Sequence, residues 1–426
     1  GIVLMTMPTE DLNGNSTLDS GEDVNGNGRL DLGGGVITAG VANTFLDNTV
    51  TLDAMGNPIL DNNTGSQIAI SAEGGSLGTG SITLSSIANN SMTGAGIDAI
   101  TVDAANAGTV SFGRIENNTL DNGIGRGISV TADAANVDLG TIDNNTINRM
   151  NFGTDAVSIA GINSSLAATL VRNRILADRL TNLTAATGIN ATSSGGNMTL
   201  VIGEDDPAFP GAATFGNTFD GNAGAAILVE IQDNGTGSLG IRQNTITSSI
   251  DDLDLGTPAG DAIHVALVSS ELTVDATAVL LGSTIDGNVI GDDTDSLLAN
   301  AGSGIVVRAT EDTSVQDLFI SNNTVSGNAV NGIQFSRSDE ARVLIVNPVT
   351  GQVRGVTILG NTVTAQQGNG IAVSGSGGNA TEVGVELREN IVTQSVLNGI
   401  DILTALDADL AVDLNENLVD ANLGHG

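Results

Sequence analysis

Ile115-Glu116-Asn117-Asn118-Thr119-Leu120 returns along the chain, and its return decides the fold. It reappears as Ile142-Asp143-Asn144-Asn145-Thr146-Ile147, Ile241-Arg242-Gln243-Asn244-Thr245-Ile246 and Ile320-Ser321-Asn322-Asn323-Thr324-Val325. Weaker copies are Leu387-Arg388-Glu389-Asn390-Ile391 and Leu414-Asn415-Glu416-Asn417-Leu418. The second polar residue marks the phase: Asn90, Asn118, Asn145, Asn173, Asn217, Asn244, Asn288, Asn323, Asn361, Asn390 and Asn417. The shortest steps run from 27 (Asn118 to Asn145) to 29 residues (Asn361 to Asn390), and longer steps look like the same unit with a loop inserted. A fixed period in this range marks a solenoid.

Ten residues after most markers comes Ile or Val, preceded by a small residue and followed, after any residue, by another apolar one. Examples are Gly127-Ile128-Ser129-Val130, Gly332-Ile333-Gln334-Phe335, Gly370-Ile371-Ala372-Val373 and Gly399-Ile400-Asp401-Ile402. A third alternating run precedes the next marker, as in Val110-Ser111-Phe112 and Val356-Thr357-Ile358. Short alternation between Gly, Asn and Asp clusters signals strands and turns. The chain is therefore all-β: a right-handed parallel β-helix of about a dozen turns, each with three short strands, stacked at the ordinary strand spacing of about 4.8 Å. The unbroken repeat argues for a single domain over residues 1–426.

From roughly residue 36 to 426 these motifs resemble the β-helix repeats of the pectate-lyase-like superfamily. That resemblance implies the architecture and leaves function open, since the superfamily holds lyases, hydrolases, tailspikes and adhesins. The recurrent Asn is expected to stack on its own copies as a hydrogen-bonded ladder while tolerating left-handed backbone geometry. The Asn-x-Thr pattern in Asn117-Asn118-Thr119, Asn144-Asn145-Thr146 and Asn322-Asn323-Thr324 offers glycosylation as the competing reading.

Residues 10–34 interrupt the first turn. Asp11, Asn13, Asn15, Asp19 and Glu22 place side-chain oxygens at positions one, three, five, nine and twelve of a loop, with Thr17 at position seven. A second copy follows with Asp23, Asn25, Asn27, Arg29 and Asp31, and Gly28 at its sharp turn. Alternating oxygens on a tight loop can wrap one hard cation, so these residues are the candidate ligands for Ca2+. The segment resembles the helix-free calcium loops of dockerins and thrombospondin type 3 repeats. Ser16 replaces the turn Gly of the first copy, and Gly34 stands where the second needs a carboxylate. Three later insertions, around Glu204-Asp205-Asp206, Asp251-Asp252-Leu253-Asp254 and Asp292-Asp293-Thr294-Asp295, are read as solvated acidic loops.

The net charge is -36, from 49 acidic and 13 basic residues, and every basic residue is Arg. Such a field repels nucleic acid and anionic membranes, so neither is an expected partner. There are no cysteines and no apolar run long enough to cross a membrane. An Asp-, Asn- and Gly-rich chain without Cys suits an extracellular or cell-surface protein of bacterial type. The ends, 1–6 and 417–426, break one turn in complementary phase, which suggests either one unit of a longer tandem array or head-to-tail self-association through strand pairing.

Sugar-processing sites use carboxylates, a nearby cation or His, and aromatic platforms. This chain has no Trp, no Tyr and 8 Phe. His264, outward beside Asp261, is read as an ordinary surface His. The expectation is therefore a structural, calcium-stabilised segment of a surface fibre, filament, sheath or adhesin, and not an enzyme. The second reading is a polysaccharide-binding or polysaccharide-degrading β-helix, with Arg172 or Arg174 of the group Arg172, Arg174, Asp178 and Arg179 lining a groove.

Overall fold

The computed structural model describes strands at 2–5, 36–38 and 44–46 and most of residues 68–425. Left out within the latter are 75–79, 149–154, 177–186, 205–214, 248–259, 270–277, 292–299, 311–312, 339–354, 377–382, 406–409, and 94, 96, 122 and 223. The calcium-loop residues Asp11 to Asp31, Asp178, Arg179 and nearly all of the acidic insertions lie outside the described residues.

Among the described residues there is no helix, and the strands form three parallel sheets wound as a right-handed β-helix. The first sheet has 12 strands in unbroken order, from Ile2–Met5 through Ile68–Glu73 and Ile128–Asp133 to Ile400–Ala405. The second has 15 strands and includes Ser81–Ala88 and Thr109–Glu116. The third has 11 three-residue-scale strands, from Ser91–Thr93 to Leu418–Asp420. Pairing is in register with the repeat: Ile128 lies against Ile100 on one side and Val157 on the other. Alternate residues of each strand therefore fall in continuous inward columns of Ile, Val and Leu, and these make one core.

All the marker asparagines from Asn90 to Asn417 form a single ladder through the rod. Each side-chain oxygen accepts from both the backbone N–H and the Nδ2 of the Asn one turn earlier, as Asn173 does from Asn145. Each Nδ2 also donates to a main-chain carbonyl of the preceding turn, as Asn145 does to Ile115. Buried corners, where the backbone bends and cannot pair with itself, thereby keep their polar groups satisfied.

Left-handed backbone falls one residue before the expected place. Asn89, Asn117, Asn144, Arg172, Gln243 and Asn322 have φ between 51 and 56°, whereas the ladder Asn that follows does not. The two readings of the Asn-Asn-Thr phrase consequently do not compete. The Asn of the Asn-x-Thr pattern is the exposed first one, and the ladder uses the buried second one.

A small residue precedes most strands of the first sheet because the next turn passes close by. At Gly370 a Cβ would collide with Val392 Cγ1 and lie 2.6 Å from the Gly399 carbonyl oxygen. Gly370→Ala is expected to cost about 1–3 kcal/mol of stability through this overpacking, read as a lowered urea midpoint with unchanged slope.

Candidate functional site

The corner before the first sheet carries a second longitudinal column, two residues ahead of the first core residue of each strand. Its occupants are Asp98, Arg126, Asp155, Thr187, Ala225, Asp261, Ser303, Asn331, Asn369 and Asn398. Asp98 Oδ1 accepts the backbone N–H of Arg126 at 2.7 Å, and Asp261 Oδ1 accepts that of Ser303 at 2.6 Å. Asn331 and Asn369 likewise accept from the next turn. At these turns the column caps the corner with a side-chain acceptor.

Two places on it do more. At the first, Asp261 Oδ2 lies 2.8 Å from Nδ1 of His264, an outward position on the strand Ile263–Val268. His264 is only 4% exposed, and the outward residues around it, Leu228, Ala266 and Val306, are buried too. With Asp261 ionised, Nδ1–H donates to it and Nε2 keeps its lone pair, which makes an oriented base. Register sets the neighbours. His264 pairs with Leu228 and Val306, while Ala266 pairs with Glu230 and Arg308. Glu230 and Arg308 are thus each one strand over and two residues along from His264, about 8 Å away by strand spacing and rise. Glu230 accepts from Gln232, and Arg308 is exposed and has no ion pair among the described residues.

At the second place, Asp155 Oδ2 accepts from Asn190 Nδ2 at 2.9 Å. Burial pushes the Asp155 carboxyl above the usual carboxylate range; the Asn190 amide, the Arg126 charge and Thr187 offset this in part. A carboxyl raised in the folded state binds more protons there than in the unfolded chain, so stability falls as pH rises through its folded pKa. Asp155→Asn removes that fall. Its melting temperature relative to wild type is expected to be higher at pH 7 than at about pH 4.

Arg172 and Arg174 lie elsewhere, between the second and third sheets, and do not line this face. Arg172 Nε donates to Asp143 Oδ1 at 2.8 Å, its Nη2 pairs with Oδ2, and the guanidinium sits 5.1 Å from the Phe215 ring. Arg174 is exposed on the short strand Arg174–Leu176. Arg172→Ala is expected to cost about 1 kcal/mol, because the buried Asp143 carboxylate loses its partner, and to leave carbohydrate binding unchanged. Thermal melts and binding assays on the same preparation check both.

Among the described residues no group of three or more His, Asp or Glu is arranged to hold a metal, and no helix is long and apolar enough to cross a membrane. The corner column was missed in the sequence, although the phase two residues before each strand start contains it. His264 was misjudged because an outward strand position was equated with an exposed one.

No protein-family model matches the sequence, and no curated protein does. Solved structures do resemble it. A periplasmic alginate epimerase shares 13% identity over 83% of this chain and 76% of its own, with a TM-score of 0.44. The A-module of an Azotobacter vinelandii mannuronan C-5 epimerase shares 12% over 80% and 91%, with a TM-score of 0.27. The catalytic domain of an α-1,3-glucanase in complex with nigerose shares 13% over 85% and 62%, with a TM-score of 0.23. At these identities the likeness concerns the fold. The structural neighbours are nonetheless polysaccharide-modifying enzymes, which overturns the expectation of a fibre, filament or adhesin segment without enzymatic activity. The chain is a parallel β-helix.

Proposed function

We propose that the chain binds an acidic polysaccharide along the outer face of its first sheet and abstracts a proton from it at His264. The observation that carries this reading is the Asp261–His264 pair, buried on an outward strand position where an inert solenoid needs neither a base nor its orienter. Asp261 would hold the imidazole, Nε2 would take the proton, and Arg308 would neutralise a sugar carboxylate beside the reacting carbon. Proton abstraction next to a carboxylate leads to epimerisation or to elimination, and both begin with the same step. Hydrolysis fits less well. Asp155 and Asp261, the buried carboxylates flanking this stretch, are three strands apart in the sheet, about 14 Å, beyond the roughly 5–9.5 Å used by glycosidase pairs. The structural neighbours that epimerise alginate and mannuronan support a polyuronate as substrate, and the periplasmic one supports an exported bacterial protein.

The test is incubation with polymannuronate, polygalacturonate and a neutral glucan in deuterium oxide. Deuterium at the carbon next to the uronate carboxyl, where that carbon is reprotonated, or an unsaturated chain end, where the neighbouring glycosidic oxygen leaves, is the expected result by NMR. Absence of both binding and exchange with every polyuronate would overturn the reading.

The loop at 10–34, within the first turn of the single domain proposed for 1–426, belongs to this proposal as a Ca2+ clamp that stabilises the folded rod by mass action. Calorimetric titration with Ca2+ should release heat and raise the melting temperature. A flat titration would remove calcium from the account.

A further inference from the structure

We infer that Arg126, Asp155 and Asn190 form a second sugar-binding subsite, three rungs down the rod from His264, that grips the hydroxyl edge of one sugar ring. The inference rests on the polysaccharide reading above and adds to it where the chain is held and how long it must be.

The corner column supplies the first argument. Asp98, Asp261, Ser303, Asn331, Asn369 and Asn398 each accept a backbone N–H from the next turn. Arg126 occupies the same phase and has no acceptor to give. Its side chain therefore cannot be there to cap the corner, and it sits instead within electrostatic reach of Asp155.

Unmet hydrogen bonds supply the second. Arg126 Nε and Asn190 Oδ1 are both buried with no partner. Asn190 spends an Nδ2 hydrogen on Asp155, which fixes the amide and leaves its oxygen requiring a donor. Buried polar atoms without partners are uncommon, and two that flank Asp155, one rung to either side, ask for one ligand. Asp155 itself is nine-tenths buried and Arg126 and Asn190 beside it are partly buried, so the group, called the recess below, is not a solvated surface cluster.

The donor and acceptor pattern selects the ligand. One group must accept from Nε–H while a neighbouring one donates to Oδ1. A hydroxyl can do either, and vicinal hydroxyls on a pyranose can do both. A carboxylate or phosphate would satisfy Arg126 but would face Asp98 and Asp155 and offer Asn190 nothing. A metal cation is disfavoured by the guanidinium in the same recess. The ligand is thus the neutral edge of a sugar, whichever charge the sugar carries elsewhere.

The strands Val157–Ile162, Ile189–Ser194, Ile227–Gln232 and Ile263–Val268 are consecutive in the first sheet. Asp155 and Asp261 precede the first and the last of them, so the subsite is about 14 Å from the base along the rod axis. Rung spacing is comparable with the length of one pyranose in a linear polymer, so occupying both places takes a chain about three units longer than the reacting sugar.

The experiment measures calorimetric affinity of the folded protein for mannuronate oligomers and for malto-oligosaccharides, from dimer to octamer. It compares wild type with Arg126→Gln, Asn190→Ala, His264→Gln and, as a control, Arg172→Ala. Melting curves confirm folding, and Asn190→Leu, which keeps the side-chain size but has no acceptor, serves if Asn190→Ala is unstable. Wild type and Arg172→Ala are expected to gain about tenfold or more in affinity at the length that first reaches the recess. Arg126→Gln and the Asn190 variants should lose that step and keep the affinity of shorter oligomers, while His264→Gln keeps the step. An unchanged step in the Arg126 and Asn190 variants, as expected if the recess holds only a water, overturns the subsite and leaves the His264 reading standing. No binding of any oligomer to wild type overturns both.

Discussion

Asn244→Ala is expected to remove about 4 kcal/mol of folding stability, far more than an Asn to Ala change on a surface. Asn244 Oδ1 accepts Asn217 N–H at 2.9 Å and Asn217 Nδ2 at 3.0 Å. Its Nδ2 donates to Ile202 O at 2.8 Å and to Asn288 Oδ1 at 3.0 Å. Alanine leaves two donors on Asn217 and an acceptor at Ile202 unpaired in a corner that is fully buried. Each such orphan costs about 1–3 kcal/mol, and relaxation toward water recovers part of the sum. Because each rung touches only its neighbours, the damage should stay local. Hydrogen exchange should accelerate around Asn217, Asn244 and Asn288 before it does near Asn90. Urea unfolding of the variant and of an exposed control, Thr245→Ser, checks the magnitude; equal midpoints would mean the ladder is ornament.

The second large effect concerns chemistry. His264→Gln should lower the rate of deuterium exchange into a polyuronate by about 10²–10⁴-fold, the usual contribution of a positioned general base. Affinity should change much less, since the imidazole makes one contact among many. Asp261→Asn is the more discriminating change. The amide oxygen can still accept the Ser303 N–H, so the corner stays capped and the fold should hold. The side chain can no longer stabilise the imidazolium, and the rate should fall while binding and melting temperature stay near wild type. A full rate in Asp261→Asn would reduce the pair to a packing feature.

Much of this molecule was legible in its sequence. The eleven marker asparagines set the rung phase correctly, because a buried corner polar group must be met by its copy one period away. Gly370 and its counterparts were visible at one phase of the repeat, and the stacked turns supply the reason, the close passage of the next turn. Phe112 and Phe335 fell inward, as their alternation required. The site was harder to read. Alternation tells which face of a strand a side chain takes, and it does not tell whether that face is covered; His264 was misread for that reason. Arg172 stood out for its crowding with Arg174, yet its partner Asp143 lies 29 residues earlier, one full period away. Pairing across a period is visible only once the turns are stacked. The same stacking exposes Arg126 as the wrong residue for a corner, which no local window could have shown.

Parallel stacking in register has a consequence for how such a face can change over generations. Positions along the rod are set by whole turns, so the separation between Asp155 and Asp261 can only be altered in increments of one rung, about 4.8 Å. Duplicating or deleting a single turn between them keeps every inward column aligned, since each turn presents the same ladder to its neighbours. The molecule is in that sense a graduated ruler. Gain or loss of one graduation would recalibrate the length of polymer it measures without redesigning either end.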